Sequence, residues 1–434
     1  MGVLAIGAAL VLPGGALAAD AAKTPTFTKD IAPIFQNKCE ACHRPDSIAP
    51  MSLKTFADTR PWVRSIRTRV KDRQMPPWHI DRTVGIQKFK NDRSLTDEQI
   101  DTIVGWIDAG APQGDPKDMP PPRTWPEDQG WNFAAPLGKT APDLIITSPE
   151  FTMPAVSQDA WDKRTTPTGL TEERWVRAIE IRPRTVKGRR ITHHAVAYLE
   201  QDEPGAAAAA SFLPSFFMEW AVGKQGELMN PDTGKLLLPG SKIRWDVHYS
   251  AAGEEITSAV ELGLYFHPKG HVPKYRNSLQ LVPAAIGTLD IRPNQITVSE
   301  GYTPLREAAR IESFQAHMHL RGKAMTMEAI LPSGQRQVLS HVADYNFNWH
   351  NTYVYADDVA PLLPKGTILK VTAWHDNTAA KKSNPDPNQW VGWGDRTVDE
   401  MAHAWVNIVF MKDEDFKIEV EKRRALTAQN TQQQ

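Results

Sequence analysis

The chain has only two cysteines, Cys39 and Cys42, and His43 follows them directly. The spacing C-x-x-C-H is the pattern by which a c-type haem is attached to protein. Each thiol adds to one vinyl group of the haem, and His43 is then held where it reaches the iron as proximal ligand. The motif therefore predicts covalently bound haem c, and a thioredoxin-like redox pair is the weaker interpretation.

Helical periodicity surrounds this motif. Apolar residues recur at helical spacing over 62–70, and Thr96 or Ser94 is positioned to cap a helix that runs to residue 107. Met75 precedes two prolines in a non-helical segment, so its thioether can cross to the far side of the iron as sixth ligand. Met51 and His79 remain alternatives.

The histidines of the rest of the chain form short patterns that suit metal binding. His193 and His194 are adjacent, His248 lies in a Val-His-Tyr segment, and His317 and His319 form an H-x-H. Imidazole is a common ligand of copper and zinc, and residues i and i+2 of a strand point to one face. Adjacent histidines diverge unless the strand is bulged, so each pattern alone is weak.

Composition limits what the chain as a whole can be. Its 434 residues are 41% hydrophobic and 23% charged with a net charge of −1, which excludes a mostly disordered chain and a basic nucleic-acid binder. An apolar run with a small-x-small site predicts a cleaved signal peptide, and hence a periplasmic or secreted protein. No later apolar run is long enough to predict an integral membrane segment.

These patterns predict a mixed multidomain chain, with a small all-α cytochrome c domain followed by two all-β domains of the jelly-roll or sandwich kind. The predicted units are a signal peptide at 1–18, a cytochrome c-like haem domain at 24–115, a proline-rich linker at 116–143, β-sandwich copper domains at 144–285 and 286–415, and a C-terminal tail at 416–434.

Residues 144–411 resemble the copper type II, ascorbate-dependent monooxygenases, and similar cytochrome modules carry a Met-Pro segment that favours Met75. The histidine patterns occur in the family's order, and the family's Asp-Glu-Met segment is matched at 399–401. The resemblance implies two jelly-roll-like domains that face a solvent-filled cleft, each with one copper. The implied ligands are His193, His194 and His248 for the electron-transfer copper, and His317, His319 and Met401 for the O2-binding copper.

The chain departs from this family in ways that bear on the substrate. The peptide-hydroxylating member has an arginine two residues before the H-x-H, where this chain has the neutral Gln315. Without that cation, a peptide carboxylate loses a bidentate partner. His403 and Trp405 follow Met401 at strand spacing, so they join Gln315 as candidate residues of a substrate cleft. His403 is a candidate substrate contact or fourth copper ligand, or it has neither role.

The resemblance implies a periplasmic dicopper monooxygenase that hydroxylates a C–H bond of a small organic substrate with O2, His317, His319 and Met401 being the catalytic residues. The fused haem is expected to deliver electrons to the His193, His194 and His248 copper from an external cytochrome, a quinol-linked donor or an ascorbate-like reductant. The alternative is a haem and copper protein for electron transfer or copper binding without oxygenase activity. A zinc-loaded or metal-free binding module is a third class, which Met401 disfavours because thioether is a poor zinc ligand.

Overall fold

The structure is a computed structural model, and it describes residues 24–45, 47, 49–125, 130–203, 215–221, 223–224 and 226–432. The predicted signal peptide at 1–18 lies outside the described residues. β-Strands dominate the rest of the chain and helices are few and mostly short, so the prediction of β-sandwich architecture is confirmed at this coarse level.

The helices are α1 (Ala32–Lys38), α2 (Phe56–Thr59), α3 (Val63–Lys71), α4 (Asp97–Asp108), α5 (Gly188–Ile191) and α6 (Asp413–Gln432). The strands are β1 (Leu144–Thr147), β2 (Phe151–Met153), β3 (Ala160–Asp162), β4 (Thr165–Pro167), β5 (Arg174–Pro183), β6 (Thr192–Glu200), β7 (Phe216–Ala221), β8 (Glu227–Leu228), β9 (Thr233–Leu237), β10 (Lys242–Tyr249), β11 (Ile256–Ser258), β12 (Val260–Phe266), β13 (Tyr275–Ala285), β14 (Asp290–Ile291), β15 (Ile296–Pro304), β16 (Ala308–His317), β17 (Gly322–Ile330), β18 (Arg336–Val342), β19 (Tyr353–Val354), β20 (Leu362–Leu363), β21 (Ile368–Asp376), β22 (Val391–Gly392) and β23 (Ala402–Met411).

Helices α1 to α4 surround a hydrophobic core of their own, formed by residues between 27 and 111. Helix α3 buries Val63, Ile66 and Val70, the apolar positions of its helical repeat. Helix α4 begins at a capping box in which the Thr96 hydroxyl accepts from the Gln99 backbone and the Gln99 side chain accepts from the Thr96 backbone. The amino-terminal part of the described chain is thus a small helical unit.

The β region forms two sandwiches. In the first, strands β1, β12, β5 and β9 share a hydrophobic core with strands β3, β10, β6 and β7. In the second, β13, β23, β16 and β19 share a core with β15, β21, β17 and β18. Strand β10 illustrates the local reason, because Ile243, Trp245, Val247 and Tyr249 alternate along it and are buried.

One sheet runs through both sandwiches. Strand β13 pairs with β9 in parallel, Tyr275 opposite Thr233, and with β23 antiparallel along the rest of its length. Residues 275–285, which fall in the first predicted copper domain, therefore lie in the sheet of the second sandwich. The shared sheet fixes the two sandwiches side by side.

The segments that flank the sandwiches are packed rather than extended. Part of the predicted linker packs on the first sandwich, where the buried Glu180 carboxylate accepts hydrogen bonds from the backbone of Asn132 and Phe133. Helix α6 begins at Asp413 and ends at Gln432, so most of the predicted C-terminal tail is helical. Among the described residues, no helix is both long and apolar enough to cross a membrane.

Candidate functional site

The first histidine set, His193, His194 and His248, is built by two neighbouring strands. His248 of β10 pairs with His194 of β6, and the next residue of β10, Tyr249, pairs with Thr192. His193 is therefore the extra residue of a β-bulge, which lets adjacent histidines point to one place. One ligand atom from each of the three histidines lies within 4.8 Å of the others.

Neighbouring side chains hold His248 in position. The indole of Trp161 stacks on its ring with centroids 4.5 Å apart, and the two residues pair across β3 and β10. The His248 Nε2 atom lies 3.0 Å from an oxygen of Asp159, which also accepts a hydrogen bond from Thr397 at 2.9 Å. A carboxylate behind a histidine fixes its ring orientation, as is usual at metal sites.

Burial keeps these histidines neutral. It lowers the pKa of His193 to about 4, with the nearby His248 ring as the next cause. Burial also lowers the pKa of His194 well below its ordinary value, and that of His248. Neutral imidazole is the form that binds a metal ion, so the set is ready to bind at neutral pH.

The segments that carry the second predicted ligand set, His317, His319 and Met401, are held together by a buried carboxylate. Glu400 accepts backbone hydrogen bonds from His319 at 2.8 Å and from Arg321 at 2.6 Å. These bonds hold the residue before Met401 against the loop that follows β16. His375 donates from Nε2 to the Met401 carbonyl oxygen at 3.1 Å.

The tautomer of His319 follows from its hydrogen bond. Its Nδ1 lies 3.0 Å from the backbone carbonyl oxygen of Asp399, which can only accept, so Nδ1 carries the proton. The Nε2 atom is left with its lone pair, which suits a metal ligand.

His350 joins this region although no spacing in the sequence marks it. It lies in the loop between β18 and β19 and is 3% exposed. Its Nδ1 atom is 3.3 Å from Nδ1 of His317, and its ring centroid is 5.9 Å from that of His193.

The histidines of the two sandwiches form one continuous cluster. The rings of His194 and His317 have centroids 6.5 Å apart, and His317 is buried whereas His194 is half-buried. This adjacency links the first histidine set to His317.

The candidate substrate residues Gln315, His403 and Trp405 lie side by side. Gln315 pairs with Trp405 and His317 with His403 in the β16–β23 ladder, so these side chains share one face of the sheet. The rings of His317 and His403 stack at 4.5 Å, and those of His403 and Trp405 meet edge-on at 5.0 Å.

This face of the sheet is buried. Gln315 is fully buried and donates to the carboxylate of Glu219 at 2.9 Å. Within the described chain, neither ring nitrogen of His403 has a hydrogen-bond partner, and neither has the indole nitrogen of Trp405. Burial lowers the pKa of His403 to about 3. Unpaired buried polar atoms cost about 1–3 kcal/mol each, so these nitrogens are candidate contacts for a bound ligand.

The cysteine motif lies at the end of α1 in the helical unit. The His43 backbone donates to the Cys39 carbonyl at 2.9 Å, and Cys39 and Cys42 are both half-buried. Burial raises the pKa of the Cys39 thiol to about 12, with Cys42 as the next cause. The His43 Nδ1 atom is 3.2 Å from the carbonyl oxygen of Met51, which leaves Nε2 as its metal-binding atom.

Comparisons with known proteins do not show a family for this chain. No family model matches the chain, and no curated protein matches it. Two solved structures of infectious bursal disease virus, the VP2 subviral particle and the Gx strain, are 10% and 9% identical to it. Each covers 61% of this chain, and 70% and 71% of the viral chains are covered, with TM-scores of 0.16 and 0.17. Likeness at this level carries no argument about fold or function.

Proposed function

We propose that this protein is an exported haem and copper oxygenase that hydroxylates a C–H bond of a small organic substrate with O2. The observation that carries the proposal is the first histidine set, whose ligand atoms lie within 4.8 Å of one another. The adjoining second ligand set supplies the mixed nitrogen and thioether donors that suit Cu(I).

One distance suits a bound metal ion. The Nδ1 atoms of His193 and His194 in the first histidine set are 3.2 Å apart. Two imidazole nitrogens bonded to one tetrahedral ion at about 2.0–2.1 Å are separated by about 3.3 Å. Copper bound at the two sets would supply O2 binding and one-electron chemistry. The protein supplies the dry, shaped surroundings.

The cysteine motif supports haem c. Cys39 and Cys42 lie on one turn with His43, and the hydrogen bond to the Met51 carbonyl aims Nε2 of His43 away from the backbone. Met75 remains the favoured candidate for the sixth ligand, with Met51 and His79 as alternatives. The proposed haem would supply electrons one at a time from an external donor.

The character of the substrate follows from Gln315, His403 and Trp405. The Gln315 amide already donates to Glu219, and no cation stands at that position to bind a carboxylate. The nitrogens of His403 and Trp405 lack partners and can bind a neutral oxygen or nitrogen of a small substrate. We therefore expect an uncharged, largely apolar substrate that fits against the Trp405 ring.

A second candidate function is electron transfer or copper binding without oxygenation. The observation that favours it is the burial of the second ligand set, since His317 is 7% and His319 4% exposed. A copper enclosed in this way would pass electrons but would admit substrate only after a loop moved.

Isotopically labelled O2 tests the proposal. Holoenzyme carrying haem and copper is incubated with a reductant and a panel of small apolar substrates, and hydroxylated products are sought by mass spectrometry. The proposal expects label in the product and loss of that product in His317→Ala. The matched control is His341→Ala, because His341 hydrogen-bonds Thr326 away from the cluster. Copper-loaded enzyme that consumes no O2 with any of the substrates supports the second candidate.

A further inference from the structure

One segment of the helical unit is built into the second sandwich. Ile80 forms a β-bridge with Val342 and Phe89 forms one with Tyr355, and both apolar side chains lie in the sandwich core. Trp78 packs edge-on against Tyr353 at 4.7 Å. Residues 77–91 therefore fix the helical unit on the sandwich that carries His317.

The contact nearest the histidines is a hydrogen bond between the two units. The side-chain amide of Asn351 donates to the carbonyl oxygen of Pro77 at 2.9 Å, and Asn351 is 7% exposed. Pro77 is next but one to Met75 and to His79, the candidate haem ligands of this segment. The His79 backbone also donates, at 3.2 Å, to the hydroxyl of Tyr353.

On the other side, Asn351 is bonded to His350. Nδ1 of His350 is 3.3 Å from that of His317, and the His350 ring lies 5.9 Å from the His193 ring. The ring of Phe347 contacts both His350 and His193, at 5.5 and 4.9 Å. His350 thus lies between Asn351, which contacts the helical unit, and the histidines of both sets.

We propose that Pro77, Asn351 and His350 form the route by which electrons pass from the haem of the helical unit to the copper at His317. This rests on the proposed function, since it assumes haem at Cys39 and Cys42 and copper at the second ligand set. It differs from delivery to the first histidine set, because the direct contact from His350 runs to His317.

Each transfer moves one electron. The haem iron is oxidised from ferrous to ferric and one copper is reduced from cupric to cuprous, while the external donor restores the ferrous haem. His350 and Asn351 are positioning residues in this scheme, since they connect the centres and take no part in bond making. A packed and hydrogen-bonded chain between two sites is a physical basis for such coupling.

The test measures electron transfer without turnover. Anaerobic holoenzyme with oxidised copper receives one electron per molecule at the haem from a photoexcited flavin, and reoxidation of the haem is followed by its absorbance. Asn351→Leu keeps the size of the side chain and removes the donor to Pro77. We expect it to slow haem reoxidation by about tenfold while the haem potential and the copper content stay unchanged.

The matched control is Asn348→Leu, because Asn348 is an exposed asparagine of the same loop. Limited proteolysis shows whether the helical unit of Asn351→Leu is still docked. If it is not, His350→Phe provides the second variant, because it leaves the Asn351 bond to Pro77 intact.

A variant that binds no copper at the first histidine set shows which copper receives the electrons. His248→Ala should retain fast haem reoxidation, and the cupric resonance of the second set should disappear. Equal rates in Asn351→Leu, His350→Phe and the unaltered protein would overturn the inference and leave the proposed function standing. A haem that copper never reoxidises in the unaltered protein would overturn both.

Discussion

The first histidine set and the second ligand set are built in opposite ways. His193, His194 and His248 come from two paired strands of one sheet, and a single β-bulge brings them together. His317, His319 and Met401 come from the ends of β16 and β23, and the buried Glu400 holds these ends together. The first set therefore depends on strand register, whereas the second depends on a buried carboxylate.

The largest expected effect is the removal of a ligand from the first set. His194→Ala should weaken copper binding there by more than about 100-fold, because the loss of a ligand exceeds the 10- to 100-fold cost of losing its supporting partner. Competition titration with a copper chelator measures the affinity. Copper binding at the second set should persist. An equal loss of copper affinity at both sets would show that they are not built independently.

The metal-free protein should lose stability as the pH falls. Burial depresses the pKa of His193 from 6.5 to about 4, so the unfolded chain binds a proton in that window and the folded chain does not. Titration of His193 therefore leaves the free energy of unfolding unchanged above about pH 6.5. It lowers that free energy by about 3 kcal/mol as the pH falls toward 4. Urea unfolding at several pH values measures it.

The matched variant is His193→Asn, which should show a smaller pH slope than the unaltered chain. Equal slopes would mean that His193 has the same pKa in the folded and unfolded chains, and that its burial does not have the stated effect.

Glu400→Gln should act on the second set alone. An amide retains one acceptor oxygen, so one of the two backbone hydrogen bonds, from His319 or from Arg321, is lost. We expect second-set copper affinity to fall by about 10- to 100-fold, the usual cost of losing a supporting partner. Isothermal titration with copper of protein whose first set is already filled with copper measures this change. An equal loss of copper affinity at the first set, measured on the metal-free protein, would contradict the separate assembly of the two sets.

The smallest expected effect is at the partner of His248. Asp159→Asn keeps the hydrogen bond from Thr397 but removes the charge beside His248 Nε2. First-set affinity should fall by about tenfold. The control is Asp162→Asn on the neighbouring strand, whose carboxylate pairs with Arg164 instead.

Local patterns in the sequence predicted the elements that depend on local physics. Helix α4 follows from the Thr96 capping box and its apolar repeat, and β10 follows from its alternating apolar residues. The H-x-H spacing predicted that His317 and His319 share one strand face, but β16 ends at His317 and His319 lies in the loop that follows.

What the sequence could not predict depends on contacts between distant segments. The bulge at His193 requires the register of β10, and the role of His350 requires a loop folded back over β16. The packing of the predicted linker depends on Glu180, a residue far along the chain. The pairing of β9 with β13, which joins the two sandwiches, likewise connects segments that are distant in the sequence.

The most direct test of the central claim is the metal content of the exported, haem-matured protein. Elemental analysis should give about one iron and two coppers per chain, falling to about one copper in either His194→Ala or His317→Ala. A chain with iron and zinc, or with iron and no copper, would contradict the account, because neither histidine set would then support oxygen chemistry.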